Sequence, residues 1–201
     1  MNIVQIGCND CQDHVLEYVL KHHKDIDKLI LVDLNEDKMT KGCTSVYDQF
    51  DFDLVMIPKA ITTQDSDNLI LYTSSTDENG HHTSTNKQHL FDHHHKEEDI
   101  SELVFPAINI NKLFEENNLT KIDRLYIDTE GYDIDIINSI NFDRWDIPHI
   151  HFEVVHSDGA FSGAFTHKCR KCYLDLINRG YKIDSDGGDA QAVKQPQYLK
   201  Q

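Results

Sequence analysis

The sequence predicts an α/β protein: a mostly parallel sheet, helices on both faces, and an antiparallel edge near the C-terminus. Three observations carry that expectation. Apolar runs at 2–6, 28–32, 52–57, 125–127 and 147–155 alternate with stretches whose apolar residues recur at helical spacing. Gly7, Asp33 and the pair Asp128 and Glu130 follow directly on three of those runs. Ligands bind outside the carboxyl ends of strands in open α/β sheets.

Residues 2–6 form a first strand ending at Gly7. Cys8-Asn9-Asp10-Cys11 follows, then a helix with Val15, Leu16, Val19 and Leu20 on one face and Asp13 as its N-cap. The second strand, 28–32, ends at Asp33. This order suits a nucleoside: glycine lets the backbone approach, and the acid accepts hydrogen bonds from ribose hydroxyls. The opening loop through Cys11 holds a single glycine, so a dinucleotide fingerprint is not met and a ligand without phosphate fits better. Residues 36–49 are partly helical, with Gly42 as a weak point. Strand 52–57 stops at Pro58, and Lys59-Ala60-Ile61 continues extended. A fourth short strand, 68–72, is expected to run antiparallel to a neighbour.

Residues 73–96 differ in kind. They are polar and aperiodic, and hold His81, His82, His89, His93, His94 and His95. Such a long loop in a compact domain is functional or disordered. The histidines lack a fixed spacing, so a solvated polar loop is expected ahead of a metal site, and no metal ligand is assigned. A stronger expectation makes the segment a lid, mobile without acceptor and ordered over it.

Residues 100–110 return to extended pattern and 112–118 to a short helix. The central stretch is IDRLYIDTEGYDIDIINSI, read as strand, acidic turn and helix. Asp128 and Glu130 would lie at the ligand-binding edge. A plainer reading has Asp128 or Asp133 capping the next helix. Strand 147–155 leads to His156, placed to act as a general base, and to a loop at 156–163. Helix 165–179 closes at Gly180, strands 181–183 and 190–193 pair, and 195–201 is a loose tail. One domain over 1–194 results.

The net charge of −16 repels phosphate backbones and anionic lipid, so neither nucleic acid nor a membrane is an expected partner. No run approaches the roughly 20 apolar residues of a membrane span, and no secretory signal is visible. The expectation is a soluble cytoplasmic protein whose five cysteines are reduced thiols. The two CxxC pairs, Cys8/Cys11 and Cys169/Cys172, could form a zinc site, but ordinary thiols are the expected reading.

Together these residues resemble the FkbM family of S-adenosylmethionine-dependent methyltransferases. The resemblance rests on VQIGCND, LVDLN, PKAI, IDTEGYDIDIINS and HFEVV, and covers nearly the whole chain. Its most specific part is IDTEG, similar to the family's K-x-D-x-E-G signature. It implies a class I methyltransferase (Rossmann-like) fold, S-adenosylmethionine as cofactor, and methyl transfer to an oxygen, often of a sugar or other small molecule. It places Gly7, Cys8, Asn9, Asp33 and Ala60 along the cofactor, and Asp128 and Glu130 at the active centre with His156 nearby. The alternative is a module that binds S-adenosylmethionine or its product without transfer. Asp128 and Glu130 could also hold Mg²⁺, which two residues do not decide. Three positions depart from the family pattern: Cys11 replaces a second glycine, Asp33-Leu34 replaces Glu-Pro, and Tyr126 replaces the signature lysine.

Overall fold

A computed structural model describes residues 1–77, 80–157 and 166–198. The expected loop at 156–163 lies outside the described residues beyond Ser157, as do Phe165 and the last residues of the tail. The strands are β1 (Asn2–Ile6), β2 (Lys28–Asp33), β3 (Asp53–Pro58), β4 (Ala60–Thr62), β5 (Asn68–Ser74), β6 (Ile100–Asn109), β7 (Arg124–Ile127), β8 (His149–Glu153), β9 (Tyr181–Ser185) and β10 (Asp189–Lys194). The helices are α1 (His14–His22), α2 (Glu36–Tyr47), α3 (Lys87–Asp92), α4 (Ile110–Glu116), α5 (Asp133–Ser139) and α6 (His167–Asn178). None of the helices among the described residues is long and apolar enough to cross a membrane.

The larger sheet runs β3-β2-β1-β7-β8-β10-β9. Its first five strands are parallel. β10 is antiparallel to both of its neighbours, which makes the expected C-terminal edge. Side chains alternate between two cores. Ile3, Leu29, Leu31 and Tyr126 pack with Val15 and Val19 of α1 and Met39 and Tyr47 of α2. Val4, Ile6, Ile30 and Val32 face the other way, onto Phe114 of α4, Ile134 and Ile137 of α5 and Leu176 of α6. A sheet covered on both faces has no polar side, which is why its strands read as unbroken apolar runs.

Asp13 caps α1 as expected, its Oδ1 accepting from Val15 N at 2.8 Å. Val15 and Val19 are buried on that helix, whereas Leu20 is 49% exposed. α2 runs unbroken through Gly42.

Three expectations are corrected. First, β4, β5 and β6 form a separate sheet, ordered β4-β6-β5, in which β5 has the expected antiparallel partner. The chain leaves the large sheet at Pro58, the last residue of an edge strand, where proline costs no ladder bond. Second, the described residues between 73 and 96 form regular elements in place of one aperiodic loop. β5 extends to Ser74, and Tyr72 and Ser84 exchange backbone hydrogen bonds of 2.8 and 3.1 Å. α3 is capped by Asn86, whose side chain accepts from Gln88 N at 2.9 Å, and His89 and Leu90 on it are fully buried. A six-residue helix with a single buried aliphatic side chain gives no periodic signal. Third, Cys11 and Cys43 form a disulfide, with Cα atoms 5.4 Å apart. The loop after β1 lies against α2, a contact that local sequence does not encode. Cys8, Cys169 and Cys172 are buried and take no part in a disulfide. The two CxxC pairs sit in cores on opposite faces of the sheet, so they build no shared zinc site.

Candidate active site

The turn after β7 is shaped by close backbone approaches. Asp128 N donates to Ile6 O at 2.9 Å, which sets the end of β7 beside the end of β1. Gly7 there has φ +78°, and a Cβ on it would stand 1.6 Å from Asp128 O, so glycine is required. Glu130 follows with φ 54°, a left-handed backbone that costs an ordinary residue about 1–2 kcal/mol. At Gly131, with φ +98°, a Cβ would meet His156 O at 2.6 Å. The turn therefore nests against the segment after β8.

Asp133 ties these parts together. It is 1% exposed. Its Oδ2 accepts from Thr129 N at 3.1 Å and Thr129 Oγ1 at 2.6 Å, and its Oδ1 accepts from Glu153 N at 3.1 Å. Neither it nor Asp128 caps α5, whose N-cap is Tyr132 without a side-chain bond. The sequence offered Asp133 as a helix cap; the structure makes it a buried strut.

Gly7, Asn9, Asp33, Ala60, Asp128 and Glu130 all line one cavity of about 610 Å³. That volume lies within the range of about 300–1,000 Å³ usual for small-molecule sites. Asp33 accepts from Asn9 N at 2.8 Å through Oδ2 and from Asn35 N at 2.9 Å through Oδ1. Each oxygen keeps a second lone pair for a ligand. Two of the expected residues lie elsewhere. The Cys8 side chain is 1% exposed and packs with the α1 and α2 core, where burial pushes its thiol up. His156 is 5% exposed and stands behind Glu130, outside the cavity lining.

The sequence reading did not name the side chains that the small sheet and the following segment add to the wall, among them Thr73, Ser74, Asp77, Thr83 and Thr85. His81 also lines the cavity, and its Nδ1 lies 2.8 Å from Asn9 Nδ2. Thr73, Ser74, Asp77, Gly80, His81, Thr83 and Thr85 thus form part of the cavity wall.

Burial, then Asp133 and Glu130, push the Asp128 carboxyl well above the usual carboxylate range, although the residue is exposed to the cavity. Burial, then Asp133, pushes Glu130 up to about 7. Burial, then Glu130 and Asp133, pushes Glu153 up to about 10. On the far side of Glu130 stand three imidazoles. Burial lowers His89; burial first and neighbouring histidines next lower His93 and His156 to about 4. Glu130 is the boundary: it lines the cavity, and its Oε2 is 3.1 Å from His89 Nε2 and 3.9 Å from His156 Nε2.

Acids at the ends of β2 and β7 around a glycine after β1 make a site shared by several α/β families. The methyltransferase FkbM domain model matches residues 1–183. The chain belongs to the FkbM methyltransferase family. No curated protein matches it. In this FkbM domain two of the three departures fall away from the cavity lining. Cys11 is fully buried in its disulfide. Tyr126 packs on the opposite core, with its ring centroid 5.6 Å from that of His14 and 5.8 Å from that of His151. Asp33 and Leu34 both line the cavity, and Asp33 retains the acid.

Proposed function

We propose that the protein transfers a methyl group from S-adenosylmethionine to a hydroxyl of a sugar or other small molecule. One observation carries the reading: six residues from separated segments, selected from the sequence, line the same cavity in a chain of a methyltransferase family. The cavity suits the donor. Gly7 leaves room where a Cβ would not, Asp33 offers free lone pairs for ribose hydroxyls, and Ala60 with Ile61 and Leu71 supplies apolar wall. When bound, S-adenosylmethionine supplies an activated methyl on a sulfonium.

The protein's own work is then alignment, exclusion of water and removal of a proton. Asp128 is the proton acceptor for the attacking hydroxyl. Thr73, Ser74, Thr83 and Thr85 give donors and acceptors that read an acceptor's hydroxyl groups. Glu130 supports the wall, and His156 acts through it, not on the substrate. The test is incubation with labelled S-adenosylmethionine and a panel of sugars and small hydroxyl compounds. Labelled product together with S-adenosylhomocysteine supports the reading. Tight donor binding with no transfer to any acceptor would favour a binding module instead.

A further inference from the structure

The cluster behind Glu130 has a second chemistry. His89 and His93 lie four apart on and just after α3, Glu130 comes from the turn after β7, and His156 follows β8. One ligand atom from each can be chosen so that all four lie within 4.8 Å of one another. The rings meet at centroid distances of 4.5 Å for His89 and His93, 4.5 Å for His89 and His156, and 5.2 Å for His93 and His156. They are mutually tilted rather than stacked, with His89 and His156 at 85°. Tilted rings can aim nitrogens at a common point.

His89 is the decisive side chain. It is fully buried, and neither of its ring nitrogens has a hydrogen-bond partner among the described residues. Glu130 Oε2 approaches Nε2 to 3.1 Å, yet the contact does not meet hydrogen-bond geometry. A buried imidazole without hydrogen bonds is costly, and ligation to an ion is one way to satisfy it.

We propose that His89, His93, His156 and Glu130 bind one divalent transition-metal ion of the zinc type. Three imidazole nitrogens and one carboxylate oxygen are a borderline donor set that suits zinc better than a hard cation. Tetrahedral bonds of about 2.0–2.1 Å require ligand atoms about 3.4 Å apart, so the cluster must contract modestly. Supporting groups are in place. His82 stacks on His93 at 4.0 Å, His82 Nδ1 is 2.9 Å from His95 Nε2, and Glu153 Oε1 is 3.8 Å from His156 Nε2. Four protein ligands leave no open position, so the ion positions rather than reacts. It fastens the covering segment 84–96 to the turn that carries Asp128. Ion binding here requires neither donor nor acceptor to be present.

The test uses the full chain, stripped with chelator and dialysed. Zn²⁺ titration by calorimetry should show one equivalent bound, and Co²⁺ should give the visible absorption of a four-coordinate ion. Added Zn²⁺ should raise the melting temperature in a concentration-dependent way. H89A and H93Q should each weaken Zn²⁺ binding by about 100-fold or more, beyond the 10–100-fold typical of outer-shell changes. H94A, at an exposed position of the same segment, should leave it unchanged. H93Q alters a half-buried side chain, so it tests the site even where H89A fails to fold. Absence of a one-equivalent event in the wild type, or undiminished affinity in folded H93Q, overturns the proposal. Neither readout involves methyl transfer, so this outcome is separate from the fate of the proposed activity.

Discussion

The two sides of Glu130 share that residue but differ in kind. On one side the wall is open, and Asp128 and Asp33 face the cavity without being buried. On the other, His89 and His156 are closed off and packed ring against ring. The open side is assembled from strand ends, whose position follows from sheet order. The closed side is assembled from a short helix, a left-handed turn and the end of a strand, and depends on tertiary contact alone. The contrast teaches that chemistry at a strand end can be read locally, whereas a convergent cluster cannot.

The largest expected effect lies on the open side. Asp128→Asn should lower turnover by about 10²–10⁴-fold, the usual contribution of a general base, with S-adenosylhomocysteine affinity nearly unchanged by calorimetry. Full turnover in this variant would remove the distinction between the two sides. On the closed side, Leu90→Ala empties a fully buried position of α3. It should cost about 2–5 kcal/mol in denaturant unfolding, while donor affinity stays within about twofold. An equal loss of donor affinity would mean that the two sides are one site.

A smaller change returns to the cavity. Asp33→Ala should weaken S-adenosylhomocysteine binding by about 1.5–3 kcal/mol, the size of hydrogen bonds to a charged acceptor. Unaltered binding would place the ribose elsewhere. The smallest effect belongs to a reference position outside both sides. Partial burial raises the Asp123 carboxyl, but Lys121, the Asn2 N–H and the N-terminal ammonium outweigh it and hold it below its ordinary value. Its stabilisation is present above the unfolded pKa of about 3.9 and is lost as pH falls through the lowered folded value. Asp123→Asn should flatten that part of the acid unfolding curve and leave ligand binding alone.

The large sheet was legible because strands buried on both faces leave continuous apolar runs, as at Ile3–Ile6 and Leu29–Val32. Gly7, Asp33 and Asp128 were legible for the same reason: each ends such a run. The separate small sheet was not, since local pattern marks a strand without saying which sheet it joins. α3 was hidden by its length and by histidines that read as solvated. The spacing of His89 and His93, four apart, was a local signal for one helix face, but Glu130 and His156 join them only through folding. Cys8 was misplaced because its position beside Gly7 says nothing about which way its side chain turns. Cys11 and Cys43, separated by 32 residues, gave no local sign of pairing.

Asp133 carries a consequence for the energetics of both sides. Its single carboxylate holds Thr129, beside Asp128 and Glu130, and the backbone of Glu153, three residues before His156. Ligands that rest on one shared support do not bind independently. If an ion at the histidines changes the affinity for methyl donor by some factor, the donor must change the affinity for the ion by the same factor. A titration of one ligand in the presence and absence of the other would measure how much free energy passes through that carboxylate, and Asp133→Asn should reduce it.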